Sequence, residues 1–184
     1  MGTTDTSDAG VARWCPTGRR LHLIDADNLA GSGYPTIAEV REVHDAYRTA
    51  VVAGPLDHTI IACSHMTGVS VGLEWPGAQL LWRSGPDGAD LALLEAVGRI
   101  GDVSRRFAGV VLGSGDGIFA PLIRSIRRAG TPATVAWGRG AISRELQLAA
   151  SQTLQIFSPT AAPAPCSRPR RQSTRVRHAQ PAMA

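Results

Sequence analysis

The sequence predicts an α/β fold in which a mostly parallel β-sheet is covered by helices on both faces. Apolar runs of strand length alternate with segments whose apolar residues recur at helical spacing. Residues 109–130 show this unit most clearly, because an apolar strand breaks at the glycine-rich turn of residues 113–117 and a helix follows. Aromatic residues make up only 5% of the chain and hydrophobic residues 43%, so we expect a core built mainly of Val, Leu, Ile and Ala.

The first half of the chain contains three predicted strands. The first occupies residues 19–28, and a helix follows from Thr36, which forms a candidate capping box with Glu39, to about residue 52. The second and third strands occupy residues 57–64 and 79–83. The residues between them, 66–76, fit either a short helix or an irregular crossover.

The second half repeats the alternation and ends with a short strand. In the strand–turn–helix unit of residues 109–130, Gly130 stands where a glycine ends the helix. The other predicted elements are a helix over residues 89–97, a strand over 134–137, a helix over 143–151 and a strand over 154–157.

Composition divides the chain into one folded domain and two appended segments. Residues 1–18 are small, polar and glycine-containing, and we expect them to be disordered. Residues 19–157 form the domain. Residues 158–184 are rich in Pro, Ala and Arg without periodicity, which predicts a disordered basic tail.

The positive charge of the chain is concentrated in that tail. The formal net charge is +4, all 19 basic residues are arginine, and five of them follow residue 157, where there is no acid. Residues 1–157 carry a net charge of −1. The tail is therefore either a segment that attracts phosphate backbones or a solvated extension, and the sequence favours neither.

The sequence shows no targeting signal and few cysteines, so we expect a cytoplasmic protein without a membrane partner. No run of eighteen apolar residues is present, and the N-terminus has neither a basic segment nor a hydrophobic core. The three cysteines are widely spaced and form no CxxC pair, as expected in a reducing compartment. The oligomeric state cannot be predicted from these features.

Three aspartates are predicted to meet at the carboxyl edge of the sheet. Asp25 ends the first strand, Asp90 lies in the first turn of the helix after the third, and Asp116 follows the fourth. If strands one and four are neighbours, the three side chains converge where open α/β sheets bind ligands. Clustered carboxylates require a cation or raised pKa values, and oxygen ligands suit Mg²⁺ or Mn²⁺, which can activate water for attack on a phosphate.

Asn28 and Ser114 are candidate supporting groups at the same edge. The amide and the hydroxyl could orient a water molecule or a phosphate oxygen, but Asn28 could equally close a turn and Ser114 bond its own backbone. Asp116 could likewise act only as a helix cap. Arg139, after the fifth strand, either holds a phosphate at this edge or is simply exposed.

Taken together, these motifs resemble the NYN domain, which belongs to the PIN-like superfamily of metal-dependent ribonucleases and includes LabA-like bacterial proteins. The matching segments are LIDADN at residues 23–28, GAD at 88–90 and GSGDGIF at 113–119, within a resemblance that covers about residues 19–157. The resemblance implies a three-layer αβα, PIN-like (Rossmann-like) fold, a Mg²⁺ or Mn²⁺ site, and hydrolysis of single-stranded or structured RNA. It implies these roles by position: metal ligands Asp25, Asp90 and Asp116, with Asn28 and Ser114 as supporting polar groups.

Two positions depart from the family's pattern. Ile118 stands where the family usually has a second acid, and Asp87 stands where it usually has lysine. Because a lost acid removes a ligand or a water-orienting group, the alternative is a catalytically weakened RNA-binding or regulatory module. Asp87, or Asp27 beside the first strand, could supply the missing charge.

The segment from Asp25 to Asp27 also resembles the opening motif of haloacid-dehalogenase-like phosphatases, in which the first aspartate is a nucleophile. Those enzymes use a later cation, usually lysine, and a downstream pair of acids. This chain has no lysine, and apolar residues follow Gly117 where the acid pair would stand. A phosphoaspartate trapped at Asp25 would favour this reading.

Overall fold

The computed structural model describes residues 18–157, so the predictions for the two terminal segments lie outside the described residues. Six strands form one sheet in which every neighbouring pair is parallel. They are β1 (Arg20–Asp25), β2 (His58–Cys63), β3 (Gln79–Trp82), β4 (Gly109–Gly113), β5 (Ala133–Trp137) and β6 (Gln152–Gln155). The strand order is β3-β2-β1-β4-β5-β6. The predicted α/β fold with a parallel sheet is confirmed.

Helices cover both faces of the sheet and complete a three-layer αβα sandwich. One face carries α1 (Ala26–Ala30), α2 (Ile37–Ala50) and α3 (Gly68–Glu74). The other carries α4 (Gly88–Ile100), α5 (Val103–Arg106), α6 (Ala120–Arg128) and α7 (Arg144–Ala149). None of the helices that the structure describes is long and apolar enough to cross a membrane.

Alternating side chains of the central strands divide the core into two halves. Leu23 and Leu112 pack with α4, α6 and α7, whereas their neighbours Ile24 and Val111 pack with α2 and α3. This alternation follows from the two-residue period of a strand. Because both faces are covered, β1 and β4 are buried throughout; the apolar sequence of β4 predicts this, whereas β1 also buries Arg20, His22 and Asp25.

Strands β1 and β4 are neighbours, with Ile24 opposite Gly113. The sheet grows outward from this pair in both directions, so the connections reverse here and leave a crevice at the carboxyl ends of the two strands. The acidic motifs that follow β1 and β4 are thus placed on adjacent strand ends, as the sequence predicts.

Local capping signals in the sequence are confirmed. The Thr36 hydroxyl accepts a hydrogen bond from the Glu39 backbone N–H at 3.3 Å, and the Glu39 carboxylate accepts one from the Thr36 N–H at 2.8 Å, so the capping box of α2 is complete. Gly130 follows Ala129, the C-cap of α6, and has a φ of 88°, a conformation that favours glycine. The uncertain segment 66–76 contains helix α3.

Two predicted strands have clearly different bounds in the structure, and two short helices were not predicted. The last strand, expected over residues 154–157, is β6 at Gln152–Gln155. The first strand was expected to continue to residue 28 but ends at Asp25, whose carboxylate caps the short helix α1. Helix α5 was not predicted, because four residues are too few for a periodic signal; the Asp102 carboxylate caps it by accepting from the Arg105 N–H at 3.3 Å.

Candidate functional site

An open groove of about 690 Å³ lies at the carboxyl edge of the sheet. Its walls come from the residues that follow β1, β2 and β3 and from the start of α4. Four carboxylates and one amide line it: Asp25, Asp27, Asp87, Asp90 and Asn28. The groove therefore brings together the acids of the first two predicted motifs.

Asp25 is the last residue of β1 and is only 4% exposed. Its Oδ1 accepts a hydrogen bond from the Asn28 backbone N–H at 3.1 Å, so the carboxylate satisfies one free N–H at the start of α1. The cap fixes the direction in which the side chain leaves the strand. Asp25 is thus a rigidly placed carboxyl group at the floor of the groove.

Asp90 lies in the first turn of α4 and is 7% exposed. Apart from the adjacent Asp25 carboxyl group, no donor among the described residues bonds its buried Oδ1. The start of α4 is held close to β3, since a Cβ on Gly88 would lie 2.3 Å from the Arg83 carbonyl oxygen. Asp87 precedes this glycine with a φ of 53°, a left-handed conformation that is uncommon outside glycine.

The carboxyl groups of Asp25 and Asp90 are in hydrogen-bonding contact. Burial raises the pKa of Asp25 well above its usual range, and the neighbouring Asp90 raises it further, against a smaller opposing effect of the Asn28 N–H. Burial also raises the pKa of Asp90. The hydrogen bond with Asp25 lowers this pKa, whereas repulsion from Asp116 and Asp87 raises it further. Two touching, buried carboxyl groups cannot both ionise readily, so the pair favours a shared proton or a bound cation.

Asp116 lies close enough to Asp90 to raise its pKa but does not line the groove. Its Oδ1 accepts from the Ile118 N–H at 2.9 Å and caps the short 3-10 turn that precedes α6, which confirms the capping interpretation. Within residues 18–157, no group of three or more His, Cys, Asp or Glu side chains is arranged to hold a metal ion. The structure thus pairs Asp25 with Asp90 and leaves Asp116 at the side, and a centre of three aspartates stays a prediction.

Asn28 connects the two central strand ends. Its Oδ1 accepts from the Gly115 N–H at 2.9 Å, which ties α1 to the loop after β4. Its amide nitrogen makes no hydrogen bond with the described residues, and Asn28 lines the groove. Ser114 is fully buried, and its hydroxyl accepts from the Asp116 N–H at 3.2 Å, so the local interpretation of Ser114 is confirmed.

Asp27 occupies the groove wall beside Asp25. Its Oδ2 accepts from the Ser64 N–H at 2.7 Å, which joins α1 to the end of β2. Burial raises the pKa of Asp27, while hydrogen bonds from Ser64 and Thr67 act in the opposite direction. The two acids named as substitutes for the missing one, Asp27 and Asp87, therefore both face the groove.

Several groove residues were not predicted from the sequence, among them Ser64, Arg83 and Tyr34. Ser64 and Arg83 directly follow β2 and β3, so the rule that identified Asp25 at a strand end could also have identified them. Tyr34 is 76% exposed in the loop before α2, and no sequence signal separates it from an ordinary loop residue. Arg139, by contrast, is turned toward α2, where it pairs with Glu42 and does not line the groove.

Comparisons with known proteins assign no family to the chain. No family model matches it, and no curated protein sequence matches it. Among solved structures, a protein of unknown function from Vibrio parahaemolyticus is similar, with a TM-score of 0.49 and 19% sequence identity. The similarity covers 74% of this chain and 91% of that one.

Proposed function

We propose that this chain is a metal-dependent ribonuclease of the NYN type that hydrolyses RNA phosphodiester bonds in the groove. The observation that carries the proposal is the contact between the buried carboxyl groups of Asp25 and Asp90 on the floor of that groove. A pair of this kind is unfavourable as two anions without a cation beside it. Its position next to the reversal point of a parallel sheet is where such folds bind their ligands.

The residues present fit a divalent ion with oxygen ligands. Asp90 Oδ1 is buried beside Asp25 without an N–H or hydroxyl donor from the described residues. Carboxylate oxygens are the ligands that Mg²⁺ and Mn²⁺ prefer, and an open groove leaves room for water in the remaining positions. Asp25 and Asp90 would hold the ion, and Asp116 is the candidate for a third, outer acid.

A bound ion supplies an activated water and stabilises negative charge on the phosphate. The chain's own residues position the substrate. The free amide nitrogen of Asn28 can donate a hydrogen bond to a phosphate oxygen in the groove, while its oxygen keeps the loop after β4 in place. Ser114 acts indirectly, because it is buried and fixes the backbone of Asp116.

Calorimetric titration with Mn²⁺, followed by cleavage of labelled single-stranded RNA, tests the proposal. Asp25→Asn and Asp90→Asn should each abolish Mn²⁺ binding and cleavage, and Asp116→Asn should weaken both. Asp45→Asn is the matched control, because Asp45 is an exposed carboxylate on α2 outside the groove. A folded wild-type protein that binds no Mn²⁺ at millimolar concentration would contradict the proposal.

The double variant Asp27→Ala/Asp87→Ala tests whether these two acids supply the charge of the acid that is missing at position 118. We expect Mn²⁺ affinity to fall at least tenfold, since both carboxylates line the groove beside the Asp25–Asp90 pair. The reference is wild type under the same buffer and salt. Near-normal affinity in the double variant would rule the compensation out.

A catalytically weakened RNA-binding or regulatory module is the second candidate. Ile118 favours it, because this side chain packs against the core beneath α4, α6 and α7 and offers no ligand. In addition, one oxygen of the Asp116 carboxylate already accepts a hydrogen bond from the Ile118 N–H. RNA binding in EDTA without cleavage in Mn²⁺ would select this candidate over the nuclease.

A further inference from the structure

Exposed arginines are concentrated on one side of the domain. We define this basic surface by six residues that are all exposed: Arg19, Arg99, Arg105, Arg106, Arg124 and Arg128. None of the six forms an ion pair with another residue that the structure describes. Elsewhere Arg41 pairs with Glu74 and Arg139 with Glu42, and the exposed Arg48 and Arg144 stand singly without an ion pair to any described residue.

The topology brings five of these residues to one end of one face, and Arg124 lies one turn before Arg128 on the same face. Helices α4 and α6 start at the carboxyl edge of the sheet and run back toward the amino edge, so their last turns, with Arg99 and Arg128, lie at the amino edge. Helix α5 leads directly into β4 and carries Arg105 and Arg106. Residues of all three helices belong to the same half of the core, which places them on the same face.

Arg19, the residue directly before β1, belongs to the same surface. The guanidinium groups of Arg19 and Arg106 lie 5.0 and 6.0 Å from the centre of the Phe107 ring. Both cations are therefore gathered over one aromatic ring rather than spread apart. Asp102 is the single acid between Arg99 and Asp116, and it accepts from the Ser104 hydroxyl at 2.5 Å as well as capping α5.

Favourable placement of cations at helix C-termini explains part of the surface. It accounts for four of the six, which lie in or at the end of the last turns of α4, α5 and α6: Arg99, Arg105, Arg106 and Arg128. It does not account for Arg124, which is in the middle of α6, or for Arg19, which belongs to no helix. Six arginines with one acid, Asp102, among them leave an excess of positive charge, which creates a field that attracts a polyanion.

The groove and the basic surface are connected along α4. Asp90 and Arg99 are nine residues apart on this helix, which corresponds to about 14 Å at ~1.5 Å per residue. A stacked nucleic acid strand places a phosphate about every 3.4 Å, so about four nucleotides cover this distance. A strand that leaves the groove along α4 therefore reaches the arginines within a few residues.

We propose that the basic surface binds the phosphate backbone of the RNA strand as it leaves the groove. The identity of the polyanion as RNA rests on the proposed function, whereas the position of the surface and its six unmatched charges do not. The surface supplies affinity without reading sequence, because arginine contacts to phosphate carry no base information. It makes binding dependent on RNA length and on salt.

The test is fluorescence anisotropy of labelled RNA in EDTA, with the full chain and two RNA lengths of about four and about twenty nucleotides, chosen from the ~3.4 Å phosphate spacing. The test variants are Arg105→Gln/Arg106→Gln and Arg124→Gln/Arg128→Gln. The matched control is Arg41→Gln/Arg48→Gln, which removes the same charge from two exposed arginines of α2 on the opposite face.

Each test variant should bind the long RNA about five- to twentyfold more weakly. It should also lower the slope of log affinity against log salt by about 1.4, because two phosphate contacts are lost and each contributes ~0.7. Binding of the short RNA and both properties of the control should be unchanged. Equal losses in test and control variants, or no loss in the test variants, would overturn the proposal. Reduced binding to anionic lipid vesicles with unchanged RNA affinity would also overturn it.

These measurements remain informative if the proposed nuclease fails. Binding in EDTA needs neither Mn²⁺ nor cleavage, so an inactive protein that still loses long-RNA affinity in the test variants supports the basic surface. In an active protein, the test variants should raise KM for the long RNA and leave kcat on the short RNA unchanged. A fall in kcat on the short RNA would contradict a surface outside the groove.

Discussion

Replacing Asp25 with Asn should stabilise the metal-free protein, although it removes a proposed ligand. The wild-type carboxyl group is buried against Asp90, and both groups have raised pKa values, so folding confines two acids that repel each other. Asparagine caps a helix as well as aspartate does, and its oxygen can still accept from the Asn28 N–H. The variant therefore keeps the cap and loses the repulsion.

The gain should be on the order of 1–2 kcal/mol at neutral pH, the cost of a buried charged group without adequate partners. For a domain of this size, about 2–4 °C of melting temperature corresponds to each kcal/mol. Thermal unfolding in EDTA should thus show an increase of about 2–8 °C for Asp25→Asn, using the relation just given. Asp45→Asn, at an exposed position, should change the free energy of unfolding by less than about 0.5 kcal/mol.

The pH dependence gives the sign of the effect. A carboxyl group whose pKa is raised on folding binds more protons in the folded state than in the unfolded state, so stability falls as the pH rises from the unfolded pKa toward the folded one. The advantage of Asp25→Asn should be smallest near pH 4 and increase toward neutral pH.

Adding Mn²⁺ should reverse the order of the two proteins. A ligand at 100 times its dissociation constant stabilises the protein that binds it by about 2.7 kcal/mol. Wild type should gain this stabilisation from bound Mn²⁺, whereas Asp25→Asn should not. A variant that is less stable than wild type in EDTA, or an advantage that shrinks as the pH rises, would refute the reasoning from the buried carboxyl pair.

Two further substitutions test the framework around the site. Gly88→Ala should destabilise the fold by about 1–3 kcal/mol in urea unfolding, because the new Cβ would lie 2.3 Å from the Arg83 carbonyl oxygen, whereas Gly98→Ala, in open space on the same helix, should be neutral or stabilising by up to about 1 kcal/mol. Asp57→Asn should cost about 3–5 kcal/mol in the same assay, because it leaves the buried Arg20 guanidinium without its carboxylate at 2.7 Å.

Each of these two predictions has a control variant, and an equal effect of variant and control would contradict it. Equal effects of the two glycine substitutions would show that the close approach at Gly88 is not rigid. For Asp57, the control is Glu74→Gln, which removes the acid of an exposed ion pair with Arg41 and should cost less than about 1 kcal/mol. Burial alone would raise the pKa of Asp57, but hydrogen bonds from Gly54 and Arg20 outweigh it and keep the pKa low. The contribution of Asp57 should therefore be present at neutral pH and be lost in acid.

Most elements of the fold could be predicted because their signals are local. The capping box at Thr36 and the glycine at residue 130 are recognisable within one turn of chain, and the strands β1 and β4 are recognised from their apolar residues and the residues that flank them. Helices α1 and α5 were missed for the same reason. Five and four residues carry no period, and each is capped by an aspartate that has other plausible roles in the sequence.

The candidate site was predicted in outline from strand ends. The sequence identified Asp25 and Asp90 as acids that would meet, and the structure places their carboxyl groups in contact. It could not show that Asp116 uses an oxygen on the Ile118 N–H or that Ser114 is buried, because both depend on how the loop after β4 packs. The roles of all five predicted site residues in catalysis stay predictions.

The sequence by itself determined the α/β class, the order of elements and the types of residue at each strand end, since these follow from periodicity and capping within short stretches of chain. Only the tertiary structure decided which of them are neighbours. The pairing of β1 with β4 creates the groove, and the crossing of α4 brings Asp90 to Asp25. Charge shows the difference most clearly. A domain with almost no net charge in its sequence carries carboxylates in one groove and unmatched arginines at the other end, because long-range packing sorts side chains that composition only counts.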